Sequence, residues 1–404
     1  MRRFLRRLGI DITAWSGSLL LLAAAGFLER FGMGVTDSAR TNFFVDTLGM
    51  TGNQVLWLEG IREIPGLILM FIAALMMQLP LSRRAALSVF IMGLGYTLYA
   101  TVGAYPAILG ISLIDSFGVH MWMPLQPSLA MSLSTKATAG RIMGTLNAVG
   151  SLAAIVGMGA LALVSRFSSG IPLKAYYVIG GCIVILASLL LFRIPTAIGA
   201  TEAKPPRMLI KRRYWLYYIL TFLGGADKQA LNTFGLLVLV NNYGLEVWQI
   251  STLLVVSSVI NMIGTPYLGR LLDRLGERTT MTANYVVLTL CCVGFATIHN
   301  VGVLIALILI IKLLMTMGMG LSTYVYRIAP PEELTPTLSA GISINHVTSV
   351  GMPLLSGLLL PIVGYNGIFW MTAVVLLLAI PFALMLQVSA ASAVSTQVQP
   401  AAAK

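Results

Sequence analysis

The segment that decides the fold is Gly269-Arg-Leu-Leu-Asp-Arg-Leu-Gly-Glu-Arg278, which combines two glycines, two acids and three arginines. Apolar residues flank it on both sides, over 247–271 and 279–298. A membrane helix needs about 20 mostly apolar residues, and each flank meets that length. The charged segment is therefore predicted to be a loop between two membrane spans.

The composition of the whole chain agrees with a membrane protein. Of 404 residues, 57% are hydrophobic and only 10% are charged, against about 25% charged in an ordinary soluble domain. A soluble or disordered protein is excluded, because so few charges cannot cover a water-exposed surface. The three cysteines, Cys182, Cys291 and Cys292, lie in apolar runs, so we expect neither a disulfide framework nor a metal site.

The same length criterion predicts twelve spans in two sets of six, and hence an all-α polytopic membrane protein built from two six-helix bundles. The first set lies near 15–38, 52–79, 82–104, 106–133, 139–165 and 173–193. The second lies near 214–241, 247–271, 279–298, 302–327, 337–363 and 366–388. The predicted domains are bundles 1–194 and 214–388, a cytoplasmic linker 195–213 and a disordered tail 389–404.

The basic residues predict the orientation of the spans. With both termini inside, 19 Lys and Arg residues lie on the cytoplasmic side and three, Arg40, Arg166 and Lys174, lie outside. This asymmetry follows the positive-inside rule and also accounts for the net charge of +12 without a nucleic-acid partner. The basic N-terminus is interpreted as a cytoplasmic anchor rather than a cleaved signal, and the plasma (inner) membrane is the expected location.

An internal repeat relates the two halves at a shift of 195–198 residues. Gly49 aligns with Gly244, and residues 145–151 (TLNAVGS) align with 343–349 (SINHVTS), where three of seven positions are identical. Parallel repeats of this kind are a known plan for transporters.

With this repeat in view, the segment 269–278 resembles the loop signature of the major facilitator superfamily, which occurs after the second span and again after the eighth. The first-half counterpart is reduced to Leu81-Ser-Arg-Arg84, without the glycine and the aspartate. The resemblance implies a secondary transporter in which one bundle rocks against the other, with a central cavity lined by spans one, four, seven and ten.

The signature loop is predicted to be a cytoplasmic gate. Gly269 and Gly276 permit close helix approach and a tight turn. Asp273 can accept hydrogen bonds from helix amides or a cationic partner, and Arg274 and Arg278 anchor the loop at the headgroups. A simple basic loop with an acid in it is the alternative.

Ionisable residues inside spans mark candidate sites, because a charge at bilayer depth costs several kcal/mol and needs a partner or a cavity. The predicted substrate and proton cavity comprises Glu29, Arg30, Asp115, His120, Gln126, Asp227, Lys228, Lys312, Asn345 and His346. The predicted outer gate comprises Asp37, Glu59, Arg62 and Glu63, the last three of which share one helix face. Glu29 and Asp115 are the leading candidates for proton exchange. Structural ion pairs and helix-packing hydrogen bonds are the alternatives for these groups.

The sequence thus predicts a non-enzymatic secondary transporter without a cofactor. It is expected to work as a monomer in the lipid bilayer and to couple a small solute to protons. A mixed-charge cavity suits an organic anion, a zwitterion or an amphiphile. Drug efflux, and a non-transporting membrane receptor or assembly scaffold, remain the alternatives. Metal transport is a third, weaker one.

Overall fold

The structure is a computed structural model that describes residues 15–69, 76–135, 138–168, 170–198 and 210–387. These residues form helices joined by short connections, and they contain no β-strand. The first-half helices are Gly17–Asn42, Gly52–Arg62, Ile64–Leu67, Leu81–Leu98, Tyr105–Ser132, Ala139–Phe167 and Leu173–Phe192. The second-half helices are Trp215–Gln229, Gly235–Tyr243, Val247–Thr297, Val301–Leu314, Met319–Ile328 and Pro331–Leu384. The predicted tail 389–404 and most of the linker 195–213 lie outside the described residues.

Two of these helical stretches are each a pair of spans. Val247–Thr297 holds 51 residues and would extend about 75 Å if it were continuous, more than twice the hydrocarbon thickness. Its backbone leaves the helical region at Gly276, where φ is 76°, and Pro331–Leu384 turns in the same way at Gly364, where φ is 65°. Only glycine adopts such angles readily, so these two residues separate spans eight and nine, and eleven and twelve.

The order of helices agrees with the predicted spans. Within the described residues, seven helical stretches are long and apolar enough to cross a bilayer, and two of them contain the glycine turns. The second, third and seventh predicted spans correspond to shorter helices. The seventh is interrupted by a π-helical turn at Ala230–Phe234. The all-helical polytopic fold is therefore confirmed.

The repeat is visible in the backbone of two turns. Gly49 and Gly244 both have positive φ, 62° and 64°. In each turn the following amide reaches back six residues: Met50 N bonds to Phe44 O at 3.0 Å, and Leu245 N bonds to Leu239 O at 3.1 Å. This is the Schellman arrangement that ends helices at glycine. Repeat-related positions therefore carry the same helix-ending geometry before spans two and eight.

The described residues divide into two compact units. The first lies within Met1–Lys204 and includes Leu236–Val259, and the second lies within Pro205–Gly235 and Ile260–Lys404. The first unit thus includes Leu236–Val259, whereas the sequence analysis assigned these residues to the second bundle, 214–388. The predicted bundle boundaries therefore stay a prediction.

Glycines bring the helices of the first unit into backbone contact. An added Cβ at Gly32 of the first span would lie 2.6 Å from Gly180 O, and one at Gly93 of the third span would lie 2.8 Å from Gly181 O. Small residues permit this approach in membranes, where packing rather than hydrophobicity drives helix association. The sixth span therefore packs against two neighbours through adjacent glycines.

In the second unit, the end of the linker is fixed to the start of the eleventh span. Glu333 accepts hydrogen bonds from Lys211 Nζ at 2.8 Å and from Tyr214 OH at 2.9 Å, and it also pairs with Arg213. The hydrogen bonds from Arg213 and Lys211 lower the pKa of Glu333 to about 2. Glu333 is therefore ionised throughout the physiological pH range.

The glycine contacts predict a contrast between two positions on the fifth span. A Cβ at Gly157 would overlap the backbone carbonyl of Phe31, whereas one at Gly159 would meet no atom within 4 Å. We expect Gly157→Ala to lower stability by about 1–3 kcal/mol through overpacking. Gly159→Ala should leave the melting temperature unchanged or raise it slightly. Thermal unfolding in detergent measures both, and equal melting temperatures for the two variants would refute the contact.

Candidate functional site

A buried ion cluster in the first unit centres on Arg62. Its Nε lies 3.3 Å from Asp115 Oδ2 and its Nη1 lies 3.4 Å from Glu59 Oε2. Asp115 is 1% exposed and Glu59 is 6% exposed. A single guanidinium thus serves two buried carboxylates on two different spans.

Asp115 is held by a second contact from the third span. Its Oδ1 accepts a hydrogen bond from Tyr99 OH at 3.2 Å. The Tyr99 ring packs against those of Phe44 and Tyr177, with centroid distances of 5.9 and 5.4 Å. Gly95 permits the approach, because a Cβ there would lie 2.6 Å from Asp115 Cβ. The carboxylate therefore has a polar side towards Arg62 and an aromatic wall behind Tyr99.

His120 extends the cluster along the fourth span. Its Nδ1 lies 3.0 Å from Ser116 Oγ, and its Nε2 lies 3.8 Å from Glu63 Oε2. Ser116 in turn donates to the backbone carbonyl of Arg62. The sequence assigned Glu59, Arg62 and Glu63 to an outer gate, and Asp115 and His120 to the cavity. The structure brings the two groups together, because Arg62 of the gate set and Asp115 of the cavity set share one ion pair. Both assignments stay predictions.

Asp37, the remaining gate candidate, pairs with Arg40 on its own helix, three residues further on. Both side chains are partly exposed, at 32% for Asp37 and 22% for Arg40. The i,i+3 spacing accounts for this pair without a partner from another span.

Glu29 is a buried carboxylate without a hydrogen bond. It is 1% exposed, and neither of its oxygens has a hydrogen-bond partner. Arg30 Nε lies 3.5 Å away, and the Trp122 indole adjoins the carboxylate. Gln126 lies one turn beyond Trp122, and its Nε2 would be 3.3 Å from a Cβ at Gly26. Glu29, Trp122 and Gln126 thus lie along the contact between the first and fourth spans.

The candidates in the second half lie in the second unit. Asn345 donates to Thr221 O at 3.3 Å, and the neighbouring Thr348 donates to Phe222 O at 2.7 Å. Asn345 therefore bonds the eleventh span to the seventh, as expected of a packing residue. His346 is 8% exposed, and Lys312 is half-buried in the last turn of Val301–Leu314. Asp227 and Lys228 lie in Trp215–Gln229, but their side chains are outside the described part of the chain.

The signature loop is organised by an acid that the sequence analysis did not select. Glu277 is 2% exposed, and its Oε1 lies 3.0 Å from Arg327 Nε. Asp273 lies 3.6 Å from the same guanidinium, but its side chain is 74% exposed. Asp273 and Glu277 lie on either side of the turn at Gly276, so helix spacing gave no signal that both acids would meet Arg327.

The other loop residues divide into a turn and an exposed edge. Gly276 provides the tight turn, as predicted. Arg274 and Arg278 are exposed, as residues that reach headgroups must be. An added Cβ at Gly269 would meet no atom within 4 Å. The close helix approach predicted at Gly269 is therefore absent from the described part of the structure.

Comparison with known proteins identifies the family to which this chain belongs. A sequence model of the Major Facilitator Superfamily matches residues 22–326. Crystal structures of a mutant and of the unmodified form of the nucleoside transporter NupG are similar, with TM-scores of 0.76 and 0.73 and identities of 17% and 15%. The mutant comparison covers 92% of this chain and 100% of NupG, and the other covers 91% and 98%.

A bacterial homologue of the human lysosomal transporter Spinster, in an inward-facing and occupied conformation, has a TM-score of 0.64 and 16% identity. That likeness covers 91% of this chain and 95% of the homologue. No curated protein matches the sequence. Identities this low show a shared fold and leave the ligand of this chain open.

We predict that removing the cation of the ion cluster strongly lowers the free energy of unfolding. Arg62→Met leaves Asp115 and Glu59 buried without their partner, a change that costs about 3–5 kcal/mol. Adding Glu59→Gln and Asp115→Asn should recover most of the loss, because no unpaired charge then remains. Melting temperatures of the single and triple variants measure this. Arg141→Met, at an exposed position, is the control, and a similar small effect from both single variants would contradict the cluster.

The two acids of the signature loop predict a second contrast. Glu277→Gln removes the buried member of a pair whose other member, Arg327, is 35% exposed, at a cost of about 1–3 kcal/mol. Asp273→Asn alters an exposed pair, which contributes about 1 kcal/mol or less. Thermal unfolding should therefore rank Glu277→Gln as clearly the less stable variant. A lower melting temperature for Asp273→Asn would reverse the assignment.

Proposed function

The chain belongs to the Major Facilitator Superfamily, and on that premise we propose that it is a secondary transporter that moves a small solute across the membrane by alternating access. The observation that carries this proposal is the set of ionisable side chains buried within membrane-spanning helices. Such groups are costly in a bilayer and mark solute or ion pathways.

Proton coupling is the finer part of the proposal, and Glu29 is its principal residue. An ionised carboxylate buried without hydrogen bonds is strongly unfavourable, so gain or loss of a proton changes the energy of its surroundings. Glu29 has this environment. Asp115 is the weaker candidate, because Arg62 and Tyr99 already satisfy its two oxygens.

The charges near the first span suggest the class of solute. Arg30 lies beside Glu29, and its side chain is 45% exposed. Its exposed guanidinium can meet an anionic group, while the Trp122 ring and the Gln126 amide can meet an aromatic or polar body. An organic anion, a zwitterion or an amphiphile fits this set. Drug efflux and a receptor or scaffold role are the alternatives. We also propose that the protein functions as a monomer and that both of its termini lie in the cytoplasm.

The solute is to be found by a binding screen of the purified protein. A ligand present at 100 times its dissociation constant stabilises the folded state by about 2.7 kcal/mol, which a melting assay detects. The panel should include organic anions, amino acids, amphiphilic drugs and nucleosides, the last because a structural neighbour is a nucleoside transporter. Transport of each hit is then measured in proteoliposomes. Binding hits that are never transported would favour the receptor or scaffold alternative.

The coupling residue predicts a specific transport defect. In proteoliposomes, Glu29→Gln should abolish accumulation driven by a pH gradient while solute exchange continues, because exchange needs no net proton movement. Glu202→Gln, in the predicted linker, is the matched control and should accumulate solute normally. Accumulation by Glu29→Gln at the control rate would remove Glu29 from the coupling mechanism.

A further inference from the structure

An apolar groove lies beside the signature loop, at the surface of the second unit. Its volume is about 120 Å³, and residues of spans eight, nine and ten line it. Its walls include Leu268, Leu271, Leu275, Ala283, Val287 and Leu314. The lining contains no charged residue from the described part of the chain, and it contains none of the candidate cavity or gate residues. The groove is therefore separate from the buried ion groups described above.

The groove has the length of one leaflet of a bilayer. Leu275 and Thr279 lie on either side of the turn at Gly276. Val287 lies eleven residues beyond that turn, about 16 Å further along the helix, and half of the hydrocarbon core is about 15 Å thick. Leu271 and Val287 are 43% and 38% exposed, so lipid chains can cover them. The groove is thus open to the leaflet that the signature loop borders.

Arginines border the end of the groove at the turn. Arg270, Arg274 and Arg278 each immediately precede a residue of the groove lining along the chain. All three side chains are exposed. None of them forms an ion pair with a described acid, because the two acids of the loop both pair with Arg327. The loop and Arg327 together contain four arginines and two acids, so positive charge is in excess beside the groove.

The contacts of Arg270 show how this charge is presented. Its Nε donates to Pro266 O at 3.4 Å, and its guanidinium carbon lies 4.4 Å from the centre of the Tyr267 ring. Tyr267 is itself 63% exposed, and such tyrosines are enriched at the bilayer interface. These contacts leave the terminal nitrogens of Arg270 without a partner among the described residues. Arg274 lies four residues further on, so both side chains project from one face of span eight.

We propose that this groove is a binding site for one anionic phospholipid. The phosphate accepts hydrogen bonds from Arg270 and Arg274, Arg278 adds positive charge, and one acyl chain packs in the groove against Leu271 and Val287. The groove without the arginines would suit any lipid, and the arginines without the groove would suit any small anion. Their adjacency selects a molecule that joins a negative headgroup to a long apolar chain. This site is additional to the proposed transport pathway.

Titration of the full-length protein in detergent, followed by native mass spectrometry, tests the site. The probes are dioleoyl phosphatidylglycerol, which is anionic, and dioleoyl phosphatidylcholine, which has the same chains and no net charge. Glycerol 3-phosphate is the third probe and supplies an anionic phosphate without chains. We expect saturable binding of one phosphatidylglycerol, and at least about fivefold weaker binding of phosphatidylcholine and of glycerol 3-phosphate.

A double variant tests the charged end of the site. Arg270→Gln/Arg274→Gln removes the proposed phosphate contacts and should bind phosphatidylglycerol at least about tenfold more weakly than the wild type. Arg141→Gln/Arg193→Gln removes two other exposed arginines of the predicted cytoplasmic side. It is the matched control and should bind with wild-type affinity. Should the first double variant fail to fold, Arg270→Gln and Arg274→Gln tested singly should each weaken binding.

A second variant tests the apolar end. Ala283 lines the groove and is exposed, so the ring of Ala283→Phe fills the groove without overpacking the core. Val286 is exposed on the same helix but does not line the groove, so Val286→Phe is the matched control. Ala283→Phe should bind phosphatidylglycerol at least about threefold more weakly than the wild type, and Val286→Phe should bind it normally.

Several results would overturn the proposal. Equal affinity for the two lipids, equal affinity for phosphatidylglycerol and glycerol 3-phosphate, or no saturable binding to the wild type would each do so. Unchanged affinity in the Arg270/Arg274 or Ala283 variants, or an equal loss in either control, would also do so. Since lipid binding is measured without transport, its failure leaves the proposed function unaffected.

Discussion

The shared guanidinium of Arg62 is the interaction on which the first unit depends. Lipid supplies no water to solvate a charge, so every ionised group in a span must find its partner within the protein. Arg62 satisfies Asp115 and Glu59 together, and Tyr99 completes the shell of Asp115. The relative positions of spans two, three and four are therefore fixed by electrostatics as well as by packing.

The need of a buried charge for a partner within the protein also makes the environment of Glu29 unusual. Arg62 gives Asp115 and Glu59 a close cation from another part of the fold or the next helical turn, whereas the carboxylate of Glu29 has no hydrogen-bond partner and only the neighbouring Arg30 for charge. The other buried acids that the structure describes, Glu59, Asp115 and Glu277, have close cationic partners, so Glu29 is retained at an energetic cost. Groups kept under such strain are concentrated where function requires a change of state. The contrast between the two sites is the reason why we propose Glu29, rather than an acid of the Arg62 cluster, as the coupling residue.

The sequence predicted the fold well because span length and charge asymmetry are local properties. It also predicted the tight turn at Gly276, and it aligned Gly49 with Gly244, two glycines that both have positive φ in the structure. Partners on different helices were harder to predict. The spacing of Glu59 and Arg62 revealed their pairing within one helix, but nothing local showed that Asp115 shares the same guanidinium. Glu277 was missed for the same reason, because its partner Arg327 lies two spans away.

The paired glycines of the sixth span have a mechanical consequence. Gly180 and Gly181 are consecutive residues, yet one touches the backbone of the first span and the other that of the third. Contact at backbone distance leaves no flexible side chain to absorb a displacement. The three helices are therefore expected to tilt together as one rigid body, with the sixth span in contact with both of the others. Bulky residues at these two positions would push the helices apart, so that movement of one helix would no longer be transmitted to the other.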